Sequence, residues 1–272
     1  MNFLALVFAI ALQQLPVPRA AVQRDGWYAR WLHWLRARRW PPPLRASLAV
    51  LGPSCLALVA LRLVDGWLFG LLALAAAVAL LLYALGRGDF GALLVRLRTQ
   101  AASDDAEAVW LTAAAVLPAL DEGAGRLDEA AALSRVRDAL VYEAFQRWYA
   151  PLFFFLLAGP VAALAYRLLQ LTAADSAAAR GALAVADWLP ARLTGFTFAL
   201  TGDFAAAGSA LEPGERPART LLGDCARRAL AGAGRGALTG PVFARELDAL
   251  SRLLTRSAGA WLLLVSLGFL LL

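Results

Sequence analysis

The 272-residue sequence is 61% hydrophobic and only 17% charged, which is too apolar for a water-soluble globular domain and predicts an integral membrane protein. Its net charge is +6, yet every basic residue is arginine and the arginines are spread along the chain, so we expect no nucleic-acid partner. One histidine, two cysteines and no lysine exclude an HExxH zinc site, a Walker A loop and a lysine Schiff base. We therefore expect no metal, no cofactor and no catalytic residue.

The first third of the chain predicts three membrane crossings. Residues 1–18 carry no charge and lack the basic start of a signal peptide, so we predict an uncleaved first span there. Residues 46–61 and 67–85 are the second and third apolar segments, and the five residues between them force an antiparallel helical hairpin. The lipid bilayer is thus the first predicted partner.

Between the first two spans, residues 23–40 predict an amphipathic helix that lies in the membrane interface. Trp27, Trp31 and Trp34 recur at helical spacing among arginines, and three prolines end the helix. The 18–43 segment has six arginines against one aspartate, so the positive-inside rule places it in the cytoplasm and the N-terminus outside. The aromatic residues that we assign to the membrane interface are Trp27, Trp31, Trp34, Trp40, Trp148 and Tyr149.

Residues 86–147 predict a helical cytoplasmic subdomain. Ser103 is followed closely by acidic residues, which is the pattern of a helix N-cap and first turn. Farther along, apolar residues recur at helical spacing, which predicts one buried stripe leading toward the next span. The stripe consists of Leu133, Val136, Leu140 and Ala144.

The most apolar stretch, residues 148–166, predicts the fourth span. Its 19 uncharged residues separate Arg147 from Arg167, and as one helix they reach about 28 Å, close to the hydrocarbon thickness of a bilayer. Pro151 removes one backbone donor, so we expect a kink just inside the first interface. A short outer loop, residues 168–180, follows this span.

The last third of the chain predicts two further spans and a second cytoplasmic segment. Residues 181–202 are apolar but contain Pro190 and Arg192, so we predict a broken fifth span. Residues 203–256 are rich in arginine and are assigned to the cytoplasm, and residues 257–272 form the sixth span. We therefore expect an all-α integral membrane protein with about six membrane-crossing helices, an interfacial amphipathic helix, two helical cytoplasmic excursions and periplasmic termini.

Carboxylates and arginines are the remaining candidates for ligand binding. Arg192 and Asp203 fall on one helical face. Glu143 precedes Arg147 by one helical turn, which favours either a surface ion pair or a polar mouth that faces the cytoplasm. Because a charge at mid-bilayer depth costs at least ~2.5 kcal/mol, Arg192 must face a cavity, an acidic partner or an interface, and we predict that it contacts an anionic ligand. The ligand-binding candidates are Tyr142, Glu143, Arg147, Tyr166, Arg167, Arg192 and Asp203.

Two blocks of the sequence resemble a known family. The block APLFFFLLAGPVAALAYR at 150–167 precedes DWLPARLTGFTFALTGDF at 187–204. In this order they resemble the CobD/CbiB family of integral membrane proteins, and they are most similar to its AmpE branch. Tyr166, Arg167 and residues 190–193 match the pattern of the family's synthases, whereas residues 170–173 lack the aspartate of the synthase motif.

The missing carboxylate argues against a magnesium-nucleotide reaction, because oxygen ligands hold that metal. The resemblance to AmpE implies an inner-membrane protein associated with a muropeptide amidase of cell-wall recycling and with β-lactamase induction. We therefore expect a bacterial inner-membrane accessory or regulatory protein rather than an enzyme, and we leave its oligomeric state open. The alternative is an amide-bond-forming synthase of the adenosylcobinamide-phosphate type, which would require ATP and magnesium.

Overall fold

The structure is a computed structural model that describes residues 25–64, 70–85, 89–117, 120, 128–211, 214, 216–230 and 238–271. All regular structure in these ranges is helical, which confirms the all-α prediction. The predicted first span, residues 1–18, lies outside the described residues. The chain forms two compact units, which we describe separately: unit 1 is Met1–Arg87 with Arg147–Asp187, and unit 2 is Gly88–Gln146 with Trp188–Leu272.

The helices are numbered in chain order. They are α1 (Gly26–Arg36), α2 (Pro42–Val64), α3 (Leu71–Ala84), α4 (Phe90–Ala102), α5 (Ala106–Ala114), α6 (Glu129–Ala144), α7 (Ala150–Ala158), α8 (Pro160–Ala173), α9 (Ala177–Thr201), α10 (Phe204–Gly208), α11 (Ala218–Ala229) and α12 (Gly240–Leu271). A π-helical turn, Phe145–Tyr149, connects α6 to α7, and a 3-10 turn, Ser209–Leu211, follows α10.

Helix α2 has the length and composition of a membrane span. Its 23 residues have a mean hydropathy of 2.0 over the most apolar window, and only 11% of that window is buried inside the protein. Among the described residues it is the one helix that satisfies both criteria, and α3 is a shorter apolar helix. Helix α2 contains the predicted second span, 46–61, and continues without a break through Pro53. The number of crossings stays a prediction.

The prediction of a single helix across residues 148–166 is wrong, because the chain reverses at Gly159. This residue has φ 83° and separates α7 from α8. The rings of Phe154 on α7 and Tyr166 on α8 stack with their centroids 5.0 Å apart. In one continuous helix, residues twelve positions apart would be separated by about 18 Å along the axis. Helices α7 and α8 therefore form an antiparallel hairpin.

Glycine and proline explain the position of the reversal. A left-handed φ strains any residue that carries a Cβ atom, so Gly159 suits the turn, and Pro160 is preset for the first position of the next helix. The turn is buried but its backbone is satisfied: the Gly159 N–H donates to the Phe155 carbonyl at 2.8 Å, and its own carbonyl accepts from Ala162 N at 3.1 Å. The π-helical turn lies directly before Pro151, where the sequence predicted a kink.

In unit 2, helix α6 supplies the core and packs against α11, while α12 packs along α4. The predicted stripe is confirmed, because all four of its residues are fully buried: Leu133, Val136, Leu140 and Ala144. The N-cap prediction at Ser103 is wrong. Ser103 ends α4, and Asp105 caps α5 by accepting from Ala108 N at 2.9 Å, since a carboxylate one residue before the helix reaches its free N–H groups.

In the last third of the chain, the structure lacks one predicted helix break, and one predicted membrane boundary falls within a continuous helix. The predicted break in residues 181–202 is wrong, because α9 continues through Pro190. Pro190 has no N–H, so the carbonyl of Ala186 loses its helical donor, and the helix continues without that one bond. Helix α12 likewise runs from Gly240 to Leu271, so the predicted boundary between residues 256 and 257 lies inside one helix.

Candidate functional site

In unit 1, hydrogen bonds of the Tyr28 hydroxyl connect α1 to the end of α8. Its side chain is 1% exposed, and its hydroxyl is 2.6 Å from Thr172 Oγ1 and donates to the Leu168 carbonyl at 3.1 Å. Burial raises the pKa of Tyr28 to about 12, and its hydrogen bond with Thr172 opposes that shift. The phenol is therefore protonated throughout the physiological pH range and serves as a permanent donor.

A second polar group lies beside Tyr28 and contains two of the predicted ligand residues. The Tyr83 hydroxyl donates to Asp25 Oδ1 at 2.8 Å, and Arg167 Nη2 is 3.9 Å from Asp25 Oδ2. Arg167 also donates to Gln170 Oε1 at 3.0 Å. The Tyr166 hydroxyl donates at 2.7 Å to Asp187, a fully buried carboxylate. Both predicted residues thus have partners within the protein.

A cleft of about 470 Å³ opens between α1, the start of α2, the end of α8 and the start of α9. Arg36 forms an ion pair with Asp175 across its rim. Arg45 is half-buried, and within the described parts of the chain its side chain has no ion pair or hydrogen bond. The lining residues are Leu32, Leu35, Arg36, Pro42, Arg45, Ala46, Ala49, Thr172, Asp175, Ser176, Ala177 and Ala178.

The same ion pair bears on the predicted membrane topology. It joins Arg36, the last residue of α1, to Asp175 in the loop 174–176, and two segments in contact cannot lie on opposite faces of a bilayer. This contact does not fit the assignment of 18–43 to the cytoplasm and of 168–180 to the outside, and the topology itself stays a prediction. The assignment counted residues 148–166 as one crossing, whereas α7 and α8 fold back on each other.

In unit 2, Arg192 contacts groups that the sequence did not indicate. Its guanidinium lies 4.1 Å from the centre of the Trp188 ring and donates to the Trp188 carbonyl at 3.2 Å and the Gly214 carbonyl at 2.7 Å. A stacked tryptophan and two carbonyls therefore hold this half-buried arginine. Asp203 caps α10 instead, accepting from Ala206 N at 3.1 Å. The two side chains have separate partners.

The remaining predicted ligand residues lie on α6 and in the π-helical turn. On α6, Tyr142 accepts from Gln146 Nε2 at 2.8 Å, and Glu143 is half-buried next to it. Arg147 lies in the π-helical turn. Arg147, Tyr166 and Arg167 belong to unit 1, whereas Tyr142, Glu143, Arg192 and Asp203 belong to unit 2. The convergence of all seven on one pocket stays a prediction.

The aromatic residues that the sequence assigned to the membrane interface differ in their exposure. Trp27, Trp34 and Trp40 are 40%, 43% and 38% exposed, as interfacial side chains require, and Trp31 and Trp148 are half-buried. Tyr149 is only 2% exposed, so its assignment to the membrane interface is wrong. Tyr149 is the last residue of the π-helical turn, whose wider winding changes which side of the chain faces the core.

Residues 7–211 match the sequence model of a family described as "Regulatory signalling modulator protein AmpE". The chain belongs to the AmpE family. The matched stretch contains both of the blocks that resemble AmpE in the sequence, and the wider placement in the CobD/CbiB family stays a prediction. No curated protein and no solved structure gives a significant match to this AmpE-family chain.

This AmpE-family chain also contains a buried charge network that the sequence analysis missed. Arg137 of α6 donates to Glu246 Oε1 of α12 at 3.0 Å and to Ser134 Oγ at 2.8 Å, and its Nε is 3.2 Å from Asp138 Oδ1. Burial raises the pKa of Asp138 above its ordinary value, against the attraction of the Arg137 guanidinium. The signal was present, because Arg137 falls within the apolar stripe, four residues after Leu133.

Side chains that could bind a metal do not cluster in the described ranges of this AmpE-family chain. No group of three or more histidine, cysteine, aspartate or glutamate side chains there has an arrangement that could hold a metal ion. Cys55 is exposed and Cys225 is buried, and both are free thiols. Burial raises the pKa of the Cys225 thiol to about 11, so the unreactive thiol form predominates at neutral pH.

Proposed function

We propose that the chain is a multi-pass regulatory protein of the bacterial inner membrane that couples the state of cell-wall recycling to β-lactamase induction. The observation that carries this proposal is the family match over residues 7–211, whose description names a regulatory signalling modulator. The apolar composition and the span-like α2 support a membrane location. A muropeptide amidase, or another protein of its pathway, is the proposed partner.

We assign the end of unit 1 that contains Arg36 and Asp175 to the cytoplasmic face of the membrane. The arginines of segment 18–43 favour that side, and the ion pair between Arg36 and Asp175 takes the loop 174–176 to the same side. The α7–α8 hairpin then enters the bilayer and returns without crossing it. Its arms of 9 and 14 residues are about 14 and 21 Å long, shorter than a hydrocarbon core.

A re-entrant hairpin changes the proposed number of crossings from six to four. If residues 203–256 are to remain in the cytoplasm with their arginines, α9 cannot cross the membrane. Its sequence agrees, because Arg180, Asp187 and Arg192 distribute charge along its length. The proposed spans are residues 1–18, α2, α3 and the end of α12, which keeps both termini in the periplasm.

The proposed input to regulation is a small anion. Cell-wall fragments carry carboxylates, and arginine is the side chain best suited to bind carboxylate or phosphate groups. Arg192, which the sequence predicts as a ligand contact, already donates to two carbonyls. Arg45, which the sequence does not indicate, lies half-buried in a cleft of about 470 Å³. That volume lies within the usual range of small-ligand sites.

The proposal is tested by deleting the gene in its native bacterium and measuring β-lactamase activity after exposure to a sublethal β-lactam. We expect the deletion to change the induced activity without changing the basal growth rate, and the intact gene supplied in trans to restore it. Induction that is identical with and without the gene would contradict the regulatory role. Magnesium-dependent ATP turnover that requires an amine acceptor would instead support the synthase alternative.

A further inference from the structure

We propose that the cleft bounded by α1, α2, α8 and α9 binds a phosphate-bearing anion, with Arg45 as its principal contact. The inference deepens the proposed function, because it places the input site and names the chemical class of the ligand. Its physical basis is independent of regulation, so binding and induction are measured separately. The cleft lies wholly within unit 1.

The charges in the cleft favour one bound anion. Arg36 and Arg45 face a single carboxylate, Asp175, so one positive charge is left over. Asp175 forms its ion pair with Arg36 and thereby fixes that guanidinium at the rim. Arg45 has no such partner in the described parts of the chain, and its half-buried position reduces the screening of its charge by water. A guanidinium in this setting gains most from a phosphate, which it can contact with two parallel hydrogen bonds.

Neutral donors at the same cleft add to this attraction. The first residues of α9, Ala177 and Ala178, line the wall, and the N–H groups of a first helical turn have no helical acceptors. The Ser176 hydroxyl lines the wall as well and is 3.4 Å from Ala179 N, a long contact that a ligand oxygen would readily replace. These groups line the same cleft as Arg45 and are complementary to phosphate oxygens.

The other walls of the cleft are apolar and set the size of the ligand. Leu32 and Leu35 of α1 face Pro42, Ala46 and Ala49 of α2. A bare phosphate would leave much of the 470 Å³ unfilled. The cleft therefore fits a phosphate attached to a less polar body, and two sources supply this chemistry: the headgroup region of an anionic phospholipid, or a water-soluble phosphorylated compound. Helix α1, which lines the cleft, also has the exposed Trp27 and Trp34, which we expect at the level of the lipid headgroups.

The test uses the full-length protein in nanodiscs. Thermal unfolding is followed by tryptophan fluorescence in three settings: phosphatidylcholine alone, phosphatidylcholine with increasing phosphatidylglycerol, and phosphatidylcholine with increasing glycerol 3-phosphate. We expect phosphatidylglycerol, glycerol 3-phosphate or both to raise the unfolding temperature in a saturable way. Saturation with the lipid alone identifies a headgroup site, and saturation with the soluble compound identifies a site for a free phosphorylated ligand.

Matched variants separate the cleft from general attraction to an anionic surface. Arg45→Gln should raise the half-saturating concentration at least tenfold, and Arg45→Lys should recover part of that loss. Arg39→Gln removes the same charge from the neighbouring exposed loop, outside the cleft, and should behave like the unmodified protein. The proposal is overturned if neither probe shifts the unfolding temperature, or if Arg39→Gln weakens binding as much as Arg45→Gln does. Intact β-lactamase regulation in an Arg45→Gln strain with lost binding would reject the cleft as the input site while leaving the regulatory role standing.

Discussion

Replacing Arg137 by methionine is expected to lower the free energy of unfolding by about 3–5 kcal/mol, because the change leaves the buried Glu246 carboxylate without its counter-charge. The two side chains are 5% and 9% exposed and are joined at 3.0 Å. In the described residues, the second carboxylate oxygen, Oε2, has no hydrogen-bond partner, so Glu246 depends on Arg137 alone. Urea unfolding in mild detergent, followed by circular dichroism, measures the change.

A double-mutant cycle shows whether the lost stability comes from the interaction between Arg137 and Glu246. Arg137→Met combined with Glu246→Leu replaces both charges by apolar groups, and we expect it to recover most of the stability lost by either single change. Arg245→Met removes the exposed arginine next to Glu246 on the same helix and should change stability by no more than about 0.5 kcal/mol. If each single substitution lowers the free energy of unfolding only slightly, and the double variant shows the sum of the two effects, Arg137 and Glu246 are not coupled.

Replacing Gly240 by alanine is the second large effect that we expect, at about 1–3 kcal/mol of destabilisation. A Cβ atom there would lie 2.6 Å from the Ala101 carbonyl oxygen and 2.9 Å from the Cα atom of Asp104, and neither backbone can retreat cheaply. The Gly240 N–H also donates to Asp104 Oδ1 at 3.1 Å. Asp104 has φ 59°, so the contact holds a strained residue in place. The start of α12 therefore needs glycine.

Gly259, farther along α12, is the matched control. A Cβ atom at this position would have no neighbour within 4 Å, so Gly259→Ala should stabilise the protein by up to about 1 kcal/mol through the higher helix propensity of alanine. Both variants are compared by the same urea titration. Equal effects of the two substitutions would show that the close approach of α4 and α12 at Gly240 does not exist.

The hairpin at Gly159 shows how far the sequence could predict the fold. Nineteen uncharged residues have the length of one membrane span, and an apolar count cannot distinguish a straight helix from two shorter ones. The deciding signal was local. Glycine at the end of one helix, followed by proline at the start of the next, is the pattern of a helix boundary, yet the length criterion overrode it. Helical stripes such as that of α6 were predictable, because their spacing is local.

The candidate site was less predictable, because it depends on pairs that are far apart in the sequence. Arg36 and Asp175 are 139 positions apart, and nothing in either local pattern indicates the other. Arg192 was selected for the cost of its charge in lipid, and that reasoning could not show that Trp188 and a distant carbonyl would hold it. Arg45 lacked any signal, since one arginine at the start of an apolar helix is typical of an interface.

The central claim, that the loops 37–41 and 174–176 share the cytoplasmic face beside a re-entrant hairpin, is tested most directly by labelling single cysteines with a membrane-impermeant maleimide. Cys55 and Cys225 are first replaced by alanine. Cysteine is then placed singly at Ala37, at Ala174 and, as the periplasmic reference, at Asp65, which follows Val64 in the sequence. We expect the cysteines at 37 and 174 to react only in inverted vesicles and the cysteine at 65 only in intact spheroplasts. Reaction at 174 in spheroplasts, with 37 reactive only in inverted vesicles, would contradict the account.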